Sequence, residues 1–364
     1  MSELEVTEEQ RRYNEIAIKY AAKIHGARSA LKASAQPVVD ELFPSFNRTG
    51  LGVYREYERM GNRAVTEGLQ VQADLQGVNF EHLGLTIGTV LHDIDLKQTL
   101  SSATIRLIRE TLLERKVVFF RDQNLTEDEQ VSFGRRFGEL DAFPFGKPGD
   151  NPYILEINHD EQRPGTENNW HTDVTWMKKP SLGSIAQCVV VPPIGGSTLF
   201  ADSYAAYLGL PPEMQARLQH ISGINDYRFF LMGGGGGALP EDLAAEIKKE
   251  IAFGVSHPML RTHPETGRTA LYFNGGFLRH ESLYDNRTGE ALGVEKAKEL
   301  VSFLQQQHGR PEYVCEFKWQ PGSIAFWDNR AAQHYAASDY YPHKRVLRRV
   351  TVSGDRPYYN PAKK

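Results

Sequence analysis

The chain of 364 residues is poor in cysteine, holding only Cys188 and Cys315. Two thiols cannot build a disulfide framework, and their scarcity fits a reducing compartment. An excess of basic charge is also missing, since 42 Lys and Arg face 46 Asp and Glu for a net charge of −4. No net field exists to hold a nucleic-acid backbone or an anionic membrane, so neither partner is expected. No stretch approaches the roughly eighteen apolar residues that a membrane span needs. The opening MSELEVTEEQRR lacks the basic start and apolar run of a secretion signal, which makes the cytoplasm the expected location. No internal repeat is visible. Hydrophobic residues at 40% and charged residues at 24% exclude wholesale disorder and coiled coil, leaving a folded chain long enough for a sizeable core.

Periodicity divides the chain. Residues 7 to 35 read as a helix, with Thr7 as cap and Tyr13, Ile16, Tyr20 and Ile24 along one face. That face has to be buried against the same chain or a second copy, so a homo-oligomer is expected. Residues 44 to 68 mix Gly, Asn and Arg without a period and read as a connection. The expected division is a helical extension over 1–65 and a main domain over 66–364. Ser101 or Ser102 can cap a helix reaching Lys116, followed by a buried strand at Val117-Val118-Phe119-Phe120. Thr126 to Glu129 spells a capping box. Beyond Asn151, short runs such as YILEI, SIAQCVVV, STLFA, SIAFWD and VLRRVTV are separated by Gly and Pro turns, with helices only near 212–218 and 294–307. The fold expected from this spacing is mainly β with flanking helices, an antiparallel barrel or jelly roll.

Gly233 to Gly237 suggests a phosphate loop, but no Gly-Lys-Ser/Thr follows, so a flexible loop or lid hinge is the better reading. His171-Thr172-Asp173 places an imidazole and a carboxylate two residues apart, on one side of an extended segment. On spacing alone the pair fits a surface hydrogen bond as well as a metal site. Further on, Trp327 to His334 adds a third ligand in His334, and two histidines with one carboxylate leave coordination positions open on Fe(II). Along RVLRRVTV at 345–352 the alternation turns Arg345, Leu347, Arg349 and Thr351 one way and Arg348 the other. An inward guanidinium needs a carboxylate partner, from the protein or from a ligand.

With these residues in hand, the sequence resembles the taurine dioxygenase and phenoxyacetate dioxygenase group of Fe(II), 2-oxoglutarate-dependent oxygenases. The resemblance rests on NNWHTDVTW at 168–176, PPIGGSTLFAD at 192–202, HPETGRTALYF at 263–273 and WDNRAAQHYAASDYYPHKRVLRRVTVSGDRP at 327–357. It implies a double-stranded β-helix, His171, Asp173 and His334 as catalytic iron ligands, and Fe(II), 2-oxoglutarate and O2 as cofactors. It also implies Arg349 on the distal carboxylate of 2-oxoglutarate, Thr198 helping to hold the same group, and Arg345 near the metal-bound end. The implied reaction oxidises a small organic substrate, by default through hydroxylation, and releases succinate and CO2.

The pattern departs from the sulfonate-binding members near the substrate. Phe143 stands where a histidine would meet the anion, Gly146 replaces an aromatic, and Glu167 replaces an asparagine. Phe143, Glu167 and Phe229 are therefore the expected substrate contacts, with Trp170 and Trp176 as aromatic wall and His263 as structural. The residues alone leave two other readings open: a non-catalytic jelly roll that binds a metal, and a zinc-dependent hydrolase with the same three ligands.

Overall fold

A computed structural model of the protein describes residues 51–145, 151–233 and 237–362, with scattered helical positions between 8 and 23. The chain divides into two compact units, 1–50 and 51–364. In the first, Ile16 and Tyr20 of the expected buried face are 49% and 51% exposed. Tyr13 and Ile24 lie outside the described residues, as does Gly146.

The second unit begins at Leu51, earlier than the expected boundary after residue 65. Leu51 and Val53 are core residues, and helix α1 (Gly52–Arg59) occupies what reads in sequence as a connection. Glu56 of α1 is the reason: fully buried, it pairs with Lys116 at 2.9 Å and with Arg268. Helices α2 (Glu67–Leu75), α3 (Ser102–Arg115) and α4 (Glu127–Arg135) follow, capped by Thr66, Ser101 and Thr126. Thr126 and Glu129 close the capping box in both directions, satisfying backbone donors that the first turn cannot pair within the helix.

Strands β1 (Phe80–His82), β2 (Thr89–Leu91), β3 (Val117–Phe120), β4 (Leu140–Asp141), β5 (Leu155–His159) and β6 (Gly183–Val190) belong to one eight-stranded sheet. A second sheet centres on β7 (Thr198–Asp202), flanked by β8 (Val314–Phe317) and β10 (Ala332–Ala336). The larger sheet is completed by β9 (Ile324–Asp328) and β11 (Arg345–Val352), in the order β1-β2-β3-β9-β6-β11-β4 with β5 also on β11. All these pairings are antiparallel except β2 with β3.

The strand β3 is apolar on both faces because both faces are covered. Val118 and Phe120 pack under the helices with Phe133, Ile185 and Val350. Val117 and Phe119 point the other way, where Phe200 and Phe317 of the second sheet meet them; Phe119 and Phe317 stack with centroids 4.0 Å apart. The site lies at one end of this inter-sheet layer.

Helices α5 (Ser203–Leu208), α6 (Pro212–Leu218), α7 (Arg228–Leu231), α8 (Glu241–Glu250) and α9 (Val294–His308) fill the long connection between β7 and β8. Met232–Gly233 and Gly237–Ala238 pair as short antiparallel strands beside α7. No helix among the described residues is long and apolar enough to cross a membrane.

Candidate metal centre

His171 and His334 are brought together by a two-way backbone bridge, with N–H to C=O distances of 3.0 and 2.8 Å. His334 sits on β10 opposite Phe200 of β7, so the second sheet fixes its height. One donor atom from each of His171, Asp173 and His334 falls within 4.8 Å of the others. His334 Nε2 is 3.9 Å from Asp173 Oδ1, and the two imidazole centroids are 4.1 Å apart.

The electrostatics suit a divalent cation. Burial would raise the Asp173 carboxyl, but Arg349 and the two imidazoles hold it well below the usual carboxylate range. Burial pushes the His334 imidazole down to about 3, with His171 and Arg349 adding to the effect, so it is neutral at pH 7. A carboxylate and neutral imidazoles are the forms that bind metal. His171 Nδ1 lies 2.8 Å from the Asn169 carbonyl, which fixes its donor there and leaves Nε2 as the lone-pair nitrogen. The three ligands named from sequence therefore fit an iron of the 2-His-1-carboxylate type.

The cavity beside His171 and His334 is lined by Thr198, Arg345, Arg349 and Glu167. Arg345 Nη2 donates to Thr198 Oγ1 at 3.3 Å, and Trp319 Nε1 donates to the same oxygen at 3.0 Å. Arg349 Nη1 instead donates to Asp173 Oδ1 at 2.8 Å. Thr198, expected beside Arg349, thus stands with Arg345, while Arg349 stands at the metal-ligand end. Alternation along β11 put both arginines on one face, but it could not rank them along that face. The turn before Thr198 allows this packing: Gly196, at φ +72°, has no Cβ to crowd Arg345, whose Cδ would lie 3.2 Å away.

The other expected substrate residues separate. Phe143 is close, its ring centroid 5.8 Å from Arg349 Cζ. Glu167 lines the cavity and meets His159 Nε2 at 3.4 Å; burial would raise its carboxyl, yet His159 draws it down to about 2. His159 Nδ1 lies 2.8 Å from the Tyr340 hydroxyl, a partner for which the sequence carried no signal. Phe229 is 42% exposed and touches Phe230 rather than the cavity lining. It is Phe230 that joins Phe143, Phe145, Trp176 and Tyr227 in an aromatic cap. Trp170 packs on Tyr335, and His263 is buried against Asp328 at 3.1 Å, away from the ligands.

Residues 79–351 match the model of the taurine catabolism dioxygenase TauD, TfdA family. The chain belongs to that family. It is 31% identical to an alkylsulfatase of Acinetobacter baylyi, over 78% of this chain and 88% of that protein. It is 29% identical to the alpha-ketoglutarate-dependent 2,4-dichlorophenoxyacetate dioxygenase of Cupriavidus pinatubonensis, over 73% and 94%. The crystal structure of a taurine dioxygenase from Burkholderia xenovorans superposes with a TM-score of 0.64 at 32% identity, covering 79% of this chain and 92% of that one. Family and ligand geometry together make the chain an enzyme, a 2-oxoglutarate-dependent non-haem iron dioxygenase for a small organic substrate, in preference to a binding-only jelly roll or a zinc hydrolase.

Proposed function

We propose that Arg345 and Thr198 take the distal carboxylate of 2-oxoglutarate, and that Arg349 serves the metal end and the primary substrate. The observation that carries this is the split of the two guanidiniums: Arg345 on Thr198, Arg349 on Asp173. Four residues of strand separate them by about 13 Å of backbone. A dicarboxylate whose 2-oxo acid end sat at the site formed by His171, Asp173 and His334 would point its other end along that face. Bound Fe(II), with 2-oxoglutarate and O2, supplies the oxidising power and yields succinate and CO2.

The chain's own residues bind and orient. Arg345 is buried with Nε unpartnered among the described residues, a donor that a ligand carboxylate would satisfy. Arg349 offers a positive edge to an acidic substrate, and the aromatic cap excludes water from its apolar body. The substrate this combination suits is a small organic acid with an apolar body. Taurine fits poorly, because the ring of Phe143 stands beside Arg349 and cannot donate to a sulfonate. Losing such a hydrogen bond costs a buried anion on the order of 1 to 3 kcal/mol.

Two facing sheets with the ligands at one end of their shared layer support the double-stranded β-helix reading. Half-exposed Ile16 and Tyr20 support a homo-oligomer, which the mass of the full chain in solution tests. Two buried free thiols agree with a cytoplasmic home.

The deciding experiment follows succinate formation with taurine, an alkylsulfate and an aryloxy acid, then repeats it with Arg345→Ala and Arg349→Ala. Arg345→Ala should raise the KM for 2-oxoglutarate by an amount worth about 2 to 5 kcal/mol, the cost of truncating a buried charge pair. Arg349→Ala should raise chiefly the KM for the primary substrate. The reverse pattern would return the distal carboxylate to Arg349, and efficient release of sulfite from taurine would refute the substrate class.

A further inference from the structure

The backbone turns sharply as it leaves the ligand motif. Val174, directly after Asp173, lies at φ +48°, a left-handed conformation that β-branched residues rarely adopt. Such a conformation persists only where its surroundings over-determine it, so contacts around Asp173 have to supply the constraint.

One side chain meets Asp173 at both ends. Asn329 Oδ1 accepts from the Asp173 backbone N–H at 3.3 Å, and Asn329 Nδ2 donates to Asp173 Oδ2 at 3.4 Å. The direction of this amide is settled by Trp327, whose indole N–H can only donate and lies 2.9 Å from Oδ1. Nδ2 also meets Ser181 Oγ at 2.8 Å and Ser184 Oγ at 3.2 Å. Ser184 in turn donates to Asp173 Oδ2 at 2.7 Å. The Asn329 carbonyl accepts from the hydroxyl of Thr172, the residue between the two ligands, at 2.7 Å. Asn329 is 2% exposed, so water does not compete for these bonds.

We infer that Asn329 is a positioning residue of the metal centre. With Ser184 it donates to Asp173 Oδ2, while Oδ1, the oxygen that Arg349 meets, lies on the side of His334. It touches neither co-substrate nor substrate and acts through Asp173. The role rests on the assignment of His171, Asp173 and His334 as ligands. Outer partners of a ligand typically contribute about 10- to 100-fold to metal affinity.

The test uses the full metal-free chain, titrated with Co(II) and followed by visible absorption, without any turnover. Asn329→Ala should weaken Co(II) binding about 10- to 100-fold and alter the ligand-field bands. Ser184→Ala should do the same to a smaller degree, because it removes one of the two donors to Oδ2. Thermal unfolding of each variant separates folding from binding. If Asn329→Ala does not fold, Ser184→Ala decides. A lower melting temperature with unaltered Co(II) affinity and spectrum would make the contact merely structural and overturn the inference. His171→Ala is the control: if it binds Co(II) as tightly as the natural chain, the ligand assignment itself fails, which is a different result.

Discussion

Two of the buried charge clusters among the described residues are satisfied differently. Around Glu56 everything is paired: Lys116 reaches Glu56 at 2.9 Å, Asp202 at 3.0 Å and the Thr86 carbonyl at 2.8 Å, while Arg59 and Arg268 close on the same carboxylate. Around Asp173 the protein leaves donors over. The Nε atoms of Arg345 and Arg349 and Nδ1 of His334 are buried without partners among the described residues. A buried charge is costly unless it is paired and hydrogen-bonded. The first cluster meets that requirement internally and holds α1 to the core. The second is left incomplete beside the three ligands, where an arriving ligand would satisfy it.

The sharpest way to break this contrast is to remove a ligand. His171→Ala, Asp173→Ala or His334→Ala should each reduce substrate-dependent succinate formation to background, because losing one of three protein ligands weakens iron binding and disturbs the open face. His171→Ala should unfold at nearly the temperature of the natural chain. Full activity with normal iron content in any of the three would remove that residue from the metal.

The closed cluster should behave in the opposite way. Glu56→Gln leaves Arg268 without a charge partner and takes one of two from Lys116, costing about 3 kcal/mol of stability with both KM values unchanged. Its pH dependence has a definite sign. Burial would raise the Glu56 carboxyl, but Lys116 and Arg268 more than offset this and hold it at about 2, below its ordinary 4.5. The unfolded chain therefore binds the proton more readily. The contribution is complete above about 4.5 and is lost as pH falls towards 2, about 3 kcal/mol in all. Urea unfolding between pH 2 and 6 should show that slope in the natural chain and a shallower one in Glu56→Gln. Equal slopes would place the acid sensitivity elsewhere.

Which parts were legible in sequence follows from how local each signal is. The capping box at Thr126 and Glu129 and the apolar run of β3 need only neighbouring residues, and both stand in the structure as read. His171, Asp173 and His334 carried a motif, although the bridge joining them spans 163 residues between its two histidines. Helix α1 was missed because its order comes from Glu56 meeting Lys116 and Arg268, not from a period of its own. Helix α8 gives a weak signal for a related reason: none of its residues is fully buried, and Ala244 and Ile247 only lean on the aromatic cluster. The roles of Ser184 and Asn329 depend on β6 pairing with β9, which places residues 145 apart in sequence beside one carboxylate. The order of Arg345 and Arg349 was illegible because a period of two gives the face and not the depth.

Phe143 tests where the open cluster ends. Its ring faces Arg349 at 5.8 Å, yet it also meets Phe145 and Phe230 edge-on at 6.0 and 5.6 Å, so it belongs partly to the site and partly to the cap. A guanidinium over a phenyl face contributes about 0.5 to 1 kcal/mol, which is roughly two- to fivefold in binding. Phe143→Ala should change the KM for the best substrate of the succinate screen by that factor and leave the KM for 2-oxoglutarate alone, since Arg345 and Thr198 lie at the other end of the strand face. Half-buried, the ring should contribute less to stability than the roughly 3 to 5 kcal/mol of a fully buried phenylalanine. A stability loss in that upper range with unchanged KM values would assign Phe143 to the closed, self-satisfied part of the molecule. A shifted substrate KM at nearly constant stability would extend the open cluster from the two arginines to the aromatic cap.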